Sequence, residues 1–268
     1  MIAKLAWKNI WFKPLNTILS VVLLTSSVAI ITTLVLVEKQ FEEKFSSNID
    51  GVDLVMGAQG SPLQLILSAV YQVDSPTGNI SYDSAKVWMQ HPFVQKAIPL
   101  AFGDNYRGYK ILGTTPDYLE KYGAEISEGK LFEKNFEVVI GSDIAKKLSL
   151  KIGDEFFGSH GDAAEGEVHE HYGYKVVGIA KPTGKVVDNL ILCTIPSVWQ
   201  MHGSHGEEEN PAHGEEGHVH VEGEEHHKEV DMTLDEPGME ITAVLLKFRN
   251  KMGIVTWPRI IAQNTKMQ

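Results

Sequence analysis

Seven histidines crowd one stretch of this chain, Met201–His227 (MHGSHGEEENPAHGEEGHVHVEGEEHH): His202, His205, His213, His218, His220, His226 and His227. Neutral imidazole binds zinc, copper or nickel, and interleaved carboxylates complete a coordination shell or concentrate cations. His218 and His220 alternate, so an extended backbone places both rings on one face. With His226 and His227 they form two close pairs flanking the short turn Val221–Glu225, which makes these four the first choice of ligands. His202, His205 and His213 are spaced more widely and suit weaker, exchanging sites. A smaller echo, GSHGDAAEGEVHEHYGY, carries His160 and a second alternating pair, His169 and His171. Zinc is the first expectation for the metal. A solvated Gly/Glu/His spacer with no core to join fits the same composition. Hydrolytic zinc chemistry does not fit, because there is no His-Glu-x-x-His and His169-Glu170-His171 has the wrong spacing for one helical face. A Gly-x-Ser-x-Gly nucleophile elbow is also absent, and Cys193 is the lone cysteine, so no disulfide forms within the chain.

What must position these residues is set by Leu15–Val37 (LNTILSVVLLTSSVAIITTLVLV), which carries no charge. As a helix it runs about 34 Å, enough for a hydrocarbon core of roughly 30 Å. Met1–Pro14 is amphipathic, with Trp7, Trp11 and Phe12 among Lys4, Lys8 and Lys13, as suits the headgroup layer. Lysines precede the span and Glu38, Glu42 and Glu43 follow it, so the N-terminus is expected in the cytoplasm and residues 38–268 outside. The apolar run is too long for a signal peptide, and TTLVLVEKQ offers no small-x-small cleavage site. Phe41, Phe45 and Ile49 fall four apart, which continues the helix as a stalk. The formal charge of -11 is local: His202–Glu236 holds twelve acidic residues against Lys228, while the remainder carries 23 of each sign. No basic patch invites nucleic acid.

The outer part reads as α+β. Helices are expected at Leu63–Val73, Tyr82–Gln90, Asp117–Tyr122 and Asp143–Leu148, with His91 before Pro92 as a turn residue. From Val94 onward, short apolar runs broken by Gly and Pro predict antiparallel strands, followed by Val138–Ser142, Leu150–Phe157, Tyr174–Lys181, Val187–Ile195 and Met239–Phe248. Cys193 is expected to be buried in its strand. The domain plan is a cytoplasmic interfacial segment over 1–14, a span over 15–37 and an outer domain over 38–250. A disordered His/Glu-rich insertion over 201–236 interrupts that domain, and a helix over 251–268 leads toward a second span.

Five stretches in order, LAWKNIWFKPLNT, GTTPDYLE (Gly113–Glu120), EGKLF (Glu128–Phe132), VVIGSDIAKKLSLKIGDEF (Val138–Phe156) and YKVVGIAKPTGKVVDNLIL (Tyr174–Leu192), carry a resemblance. The chain resembles the MacB/FtsX-type permeases of ABC transporters, the group that includes the lipoprotein-releasing and macrolide-efflux permeases. The resemblance implies a MacB-like periplasmic domain on a bacterial inner-membrane subunit with four spans. Such subunits work as dimers, or paired with a second permease, beside a cytoplasmic ABC ATPase whose ATP-driven changes pass through stalk helices to the outer domain. The partners expected are therefore that ATPase, a second permease copy, membrane lipids and a periplasmic metal- or substrate-binding protein. The chain carries one span where the family has four, so it is expected to be the N-terminal portion of such a subunit or to lack the later spans. It has no phosphate loop, so ATP hydrolysis belongs to another chain. Two alternatives remain: a lipoprotein-releasing or peptide-export permease with an inert His-rich loop, and a single-span metal-binding or sensing protein without an ATPase.

Imidazole must lose its proton to coordinate, and its ordinary pKa is about 6.5. Zinc titrated calorimetrically into the full chain in detergent is expected to bind near pH 7 and to be lost by about pH 5. Changing His218, His220, His226 and His227 together to Ala should remove the tightest sites. Unchanged affinity and stoichiometry in that variant refute the ligand choice. A parent dissociation constant above about 100 µM, near -5.5 kcal/mol, leaves the segment a spacer.

Overall fold

The computed structural model describes residues 4, 7, 8, 11–159, 172–203, 232–234, 236–250, 253–265 and 267–268. The chain divides into two compact units, Met1–Ser47 and Asn48–Gln268. Helix α1, Pro14–Ile49, accounts for most of the first and for the opening residues of the second. It buries none of its residues and is long and apolar enough to cross a membrane. Four of its hydroxyls bond within the helix: Thr25 donates to the Val21 carbonyl at 2.7 Å, Ser27 to Leu23 at 2.9 Å, and Thr32 and Thr33 to Val28 and Ala29 at 2.8 Å each. That back-bonding lets Ser and Thr lie in hydrocarbon, where an unsatisfied polar group costs several kcal/mol. The stalk expectation holds, with Phe41 and Phe45 stacked at 5.4 Å on successive turns.

Among the described residues, the second unit is built on a nine-stranded mixed sheet. Its strands are β1 (Leu54–Gly57), β3 (Val94–Tyr106), β4 (Tyr109–Gly113), β5 (Ile126–Gly129), β6 (Glu137–Ile140), β7 (Glu155–Phe156), β8 (Tyr174–Ala180), β9 (Ile191–Cys193) and β11 (Ala243–Phe248). The order across the sheet is β1-β11-β3-β4-β9-β6-β8-β5, with β7 added to β8. A separate ribbon pairs β2 (Ile80–Ser81) with β10 (Glu240–Ile241). Alternation along the strands serves two cores. Val138, Ile140, Ile191, Cys193, Val244 and Leu246 face one, and Val139, Leu192, Ala243 and Leu245 face the other. The first core is closed by α3 (Tyr82–Met89), α5 (Ser142–Leu148), α6 (Ile195–Gly203) and α7 (Gly253–Asn264). The second is closed by α2 (Pro62–Ala69), α4 (Asp117–Tyr122) and the 3-10 turn Val186–Asn189. Residues buried on both faces explain why these strands read as continuous apolar runs.

The antiparallel expectation from Val94 onward holds at its first pair, while the sheet beyond it is mixed. The β3–β4 hairpin is antiparallel, turning on Arg107 and Gly108 at positive φ, but β4 pairs β9 and β6 pairs β8 in parallel. The intervening helices supply the crossovers that parallel pairing requires. Met239–Phe248 is two strands in two sheets rather than one, and Leu150–Phe157 contributes only β7. The 201–236 boundary takes in domain residues, since Met201 is buried and Met232 packs on the same core. Helix α7 also belongs to the domain. Its Trp257 is ringed by Trp88, His91 and Phe248 at 5.4, 4.9 and 4.8 Å, and Gln268 exchanges two backbone hydrogen bonds with Gly57.

Candidate functional site at the end of the stalk helix

The last two residues of α1, Asn48 and Ile49, lie in the second unit, and carbonyls at a helix end have no partner within the helix. The domain supplies partners. The Asn48 carbonyl accepts a hydrogen bond from Lys121 Nζ, and Asn48 Oδ1 accepts the Val186 N–H at 3.0 Å. Gly51, at φ +79, turns the chain sharply out of the helix. The next residues are fixed at once: Asp53 N donates to the Leu246 carbonyl at 2.9 Å, and the Asp53 carboxylate accepts from Phe248 N at 2.9 Å. Helix end and sheet edge are thus joined with no slack segment between them.

Val186 is aimed by a small structure legible in Lys181–Asp188 (KPTGKVVD). The Asp188 carboxylate, almost fully buried, accepts from Thr183 N at 3.0 Å, Thr183 Oγ1 at 2.9 Å and Gly184 N at 2.7 Å. Gly184 at φ +73 makes the bend. The loop so fixed presents two donors: Val186 N to Asn48, and Lys185 Nζ to the Tyr122 carbonyl at 3.1 Å. Lys121 lies 3.6 Å from the centroid of the Tyr122 ring. Burial pulls its ammonium down from the ordinary 10.5 to about 7, the charge of Lys185 adds to this, and Asp50 opposes it. Beside the junction is an apolar cavity of about 290 Å³ among Ile49, Val52, Leu54, Leu65, Ile66 and Pro258.

The nine sequence-predicted metal ligands cannot be placed. His169, His171, His205, His213, His218, His220, His226 and His227 lie outside the described residues, as does the side chain of His202. Among the described residues no group of three or more His, Cys, Asp or Glu could hold a metal ion. The flanks of both histidine-bearing segments are described, and they meet at Asn135–Phe136. Tyr172, which follows the shorter segment, stacks on Phe136 at 4.9 Å, and the carbonyl of Met232, which follows the longer one, accepts from Asn135 Nδ2 at 3.0 Å. Phe136 holds a left-handed φ of +63 while its N–H donates to Ser197 Oγ at 2.9 Å. Cys193 is buried as expected, and burial pushes its thiol far above the ordinary range, so it is inert. Sequence reasoning missed Asn48, Lys121 and Asp188. Only Asp188 left a signal, the aspartate placed four residues after a Thr-Gly bend.

The sequence family described as the MacB-like periplasmic core domain matches residues 15–223. No curated protein matches the chain. Among solved structures, the periplasmic region of MacB from Actinobacillus actinomycetemcomitans is similar, at 9% identity and a TM-score of 0.49, over 82% of this chain and 90% of that one. The extracellular domain of the noncanonic ABC-type transporter YknZ from Gram-positive bacteria is similar at 10% identity and a TM-score of 0.46, over 80% and 97% of the two chains.

Removing the Asp188 carboxylate takes the acceptor from the N–H groups of Thr183 and Gly184. Hydrogen bonds to a charged acceptor contribute about 1.5–3 kcal/mol each before compensation by water. Asp188→Ala is therefore expected to destabilise the domain by about 2–4 kcal/mol in urea unfolding of the full chain in detergent. A loss under about 0.5 kcal/mol contradicts the role given to this carboxylate.

Proposed function

The chain belongs to the family of the MacB-like periplasmic core domain, and from that premise we propose that it serves in an ABC transporter permease that works by mechanical transmission. The observation that supports this reading is the continuity of α1 into the junction, where Asn48 takes donors from both α4 and the Asp188-fixed loop. A displacement of the helix end must move those donors or break with them. The chemistry of the cycle belongs to a cytoplasmic ABC ATPase acting on a pair of permease chains, and the domain receives the motion on the extracytoplasmic side. The lysine-rich face before the span and the glutamates after it support a cytoplasmic N-terminus in a bacterial inner membrane.

The histidines refine the reading. Ten of the chain's eleven histidines fall in two segments, and the described residues that follow these segments, Tyr172 and Met232, are joined through Phe136 and Asn135. We assign these histidines to zinc or another transition metal that the transport system handles or senses, with His218, His220, His226 and His227 as the principal ligands. Release of lipoproteins or export of a peptide, with the loop as an accessory, is the alternative within transport.

Purification from the native membrane tests the main claim. The full chain is expected to copurify with a vanadate-sensitive ATPase and to hydrolyse no ATP when expressed by itself. Recovery from its native membrane in mild detergent with no ATPase activity attached points instead to a single-span metal-binding or sensing protein.

A further inference from the structure

A cleft of about 850 Å³ opens between the β3–β4 hairpin, the segment after α2 and the 3-10 turn with the residue that follows it. Proteins hold small ligands in clefts of this size, roughly 300–1,000 Å³. Tyr71 and Phe102 line it, and one wall, formed by Val186, Asn189 and Leu190, begins at the residue whose N–H meets Asn48. Another wall is the short stretch Val73, Asp74, Ser75 and Pro76. The ends of that stretch are fixed. Gln72, buried and at a left-handed φ of +58, donates from Nε2 to the Ala69 carbonyl at 3.0 Å, and Val73 N donates to the Leu67 carbonyl at 3.1 Å. On the far side Thr77 Oγ1 donates to the Ala58 carbonyl at 3.1 Å, and Gly78 follows at φ +139.

Between those ends hydrogen bonds stand in for packing. Val73, Asp74 and Ser75 are exposed, the apolar Val73 at 76%. Among the described residues, two side chains reach the stretch from neighbouring elements. Lys110 of β4 donates from Nζ to the Asp74 carbonyl at 2.9 Å, and Gln64 of α2 donates from Nε2 to the Ser75 carbonyl at 3.1 Å. The Lys110 ammonium also lies 5.2 Å from the centroid of the Phe102 ring. Carbonyl and ring both attract the cation, so this bond is the stronger of the two. It runs from one wall of the cleft to another, since Lys110 and Asp74 both line it. A stretch with fixed ends, exposed side chains and little buried apolar surface opens locally at low cost, while the rest of the domain stays folded. We propose that Val73–Pro76 is a strap over this cleft, latched by Lys110 and Gln64, and that release of the latch opens the cleft. Every residue of the device belongs to the domain, so it stands independently of any transport role.

Hydroxyl-radical footprinting of the full chain in detergent, read by mass spectrometry, reports the opening. Tyr71 is the probe, because it lines the cleft and is only 8% exposed, and the fully buried Tyr174 is the control. Lys110→Leu keeps an apolar stem beside Phe102 and removes the donor. Oxidation of Tyr71 in that variant is expected to rise about threefold or more, as loss of a charge-assisted hydrogen bond implies, with Tyr174 unchanged. An unchanged Tyr71 rate overturns the proposal. Should both tyrosines rise together, the domain itself has loosened and Gln64→Leu, which removes the second latch, decides. A rise confined to Tyr71 in Gln64→Leu supports the strap, and any other result there overturns it.

Discussion

A helix that leaves a membrane ends in carbonyls that nothing in the helix can satisfy. Here the domain answers one of them, the Asn48 carbonyl, and takes hold of the Asn48 side chain as well, and much of its local architecture is organised to do so. Asp188 fixes a bend, the bend aims Val186 N–H, and Val186 N–H meets Asn48. Tyr122, buried in the core that α4 helps close, sits beneath Lys121, which reaches the same residue from the other side. The individual hydrogen bonds are worth little net, about 1 kcal/mol each. Their importance is geometric, because they convert the end of one helix into part of a packed domain. Gly141 shows how tightly that domain is built. A Cβ there would meet the Asp188 and Val187 carbonyl oxygens at 2.3 and 2.4 Å, so α5 can begin against the 3-10 turn only with glycine.

The sequence made the large elements legible because each obeys a single period or composition. An uncharged run of helical length gave α1, and Phe41, Phe45 and Ile49 carried it past the span. Continuous apolar stretches such as Val138–Ile140 and Ala243–Leu246 gave strands, and the ordered motifs gave the family. Strand direction was legible from Val94 to Gly113, where Gly and Pro punctuation announced the antiparallel β3–β4 hairpin, but not in the runs buried on both faces, which read the same whether the neighbour is parallel or antiparallel. Short elements escaped for a related reason. Glu240–Ile241 and Ala243–Phe248 are adjacent in sequence, yet Thr242 separates them into different sheets, its N–H bonded to the Leu100 carbonyl.

The candidate site was the least legible part. Asn48, Lys121 and Val186 are 73 and 65 residues apart along the chain, and nothing in their types announces a junction. The histidines showed the opposite behaviour, with a loud composition and no geometry among the described residues. What the structure adds to them lies at their flanks, where Asn135 and Phe136 bind the residues that follow both segments. The strained φ of Phe136 is held there by the Ser197 hydroxyl, and Thr194 donates to Asn135 Oδ1 at 2.9 Å.

The central claim is that the stalk helix is fastened to the domain through Asn48 and Val186. A double-mutant cycle tests it most directly. Val186→Pro removes the donor at the first residue of a 3-10 turn, where the extended Lys185 before it tolerates proline, and Asn48→Ala removes the acceptor. In urea unfolding of the full chain, the double variant is expected to cost about 1 kcal/mol less than the two single losses combined. Additivity within about 0.3 kcal/mol contradicts the claim, because the two residues then do not act on each other and the helix end is not held where this account places it.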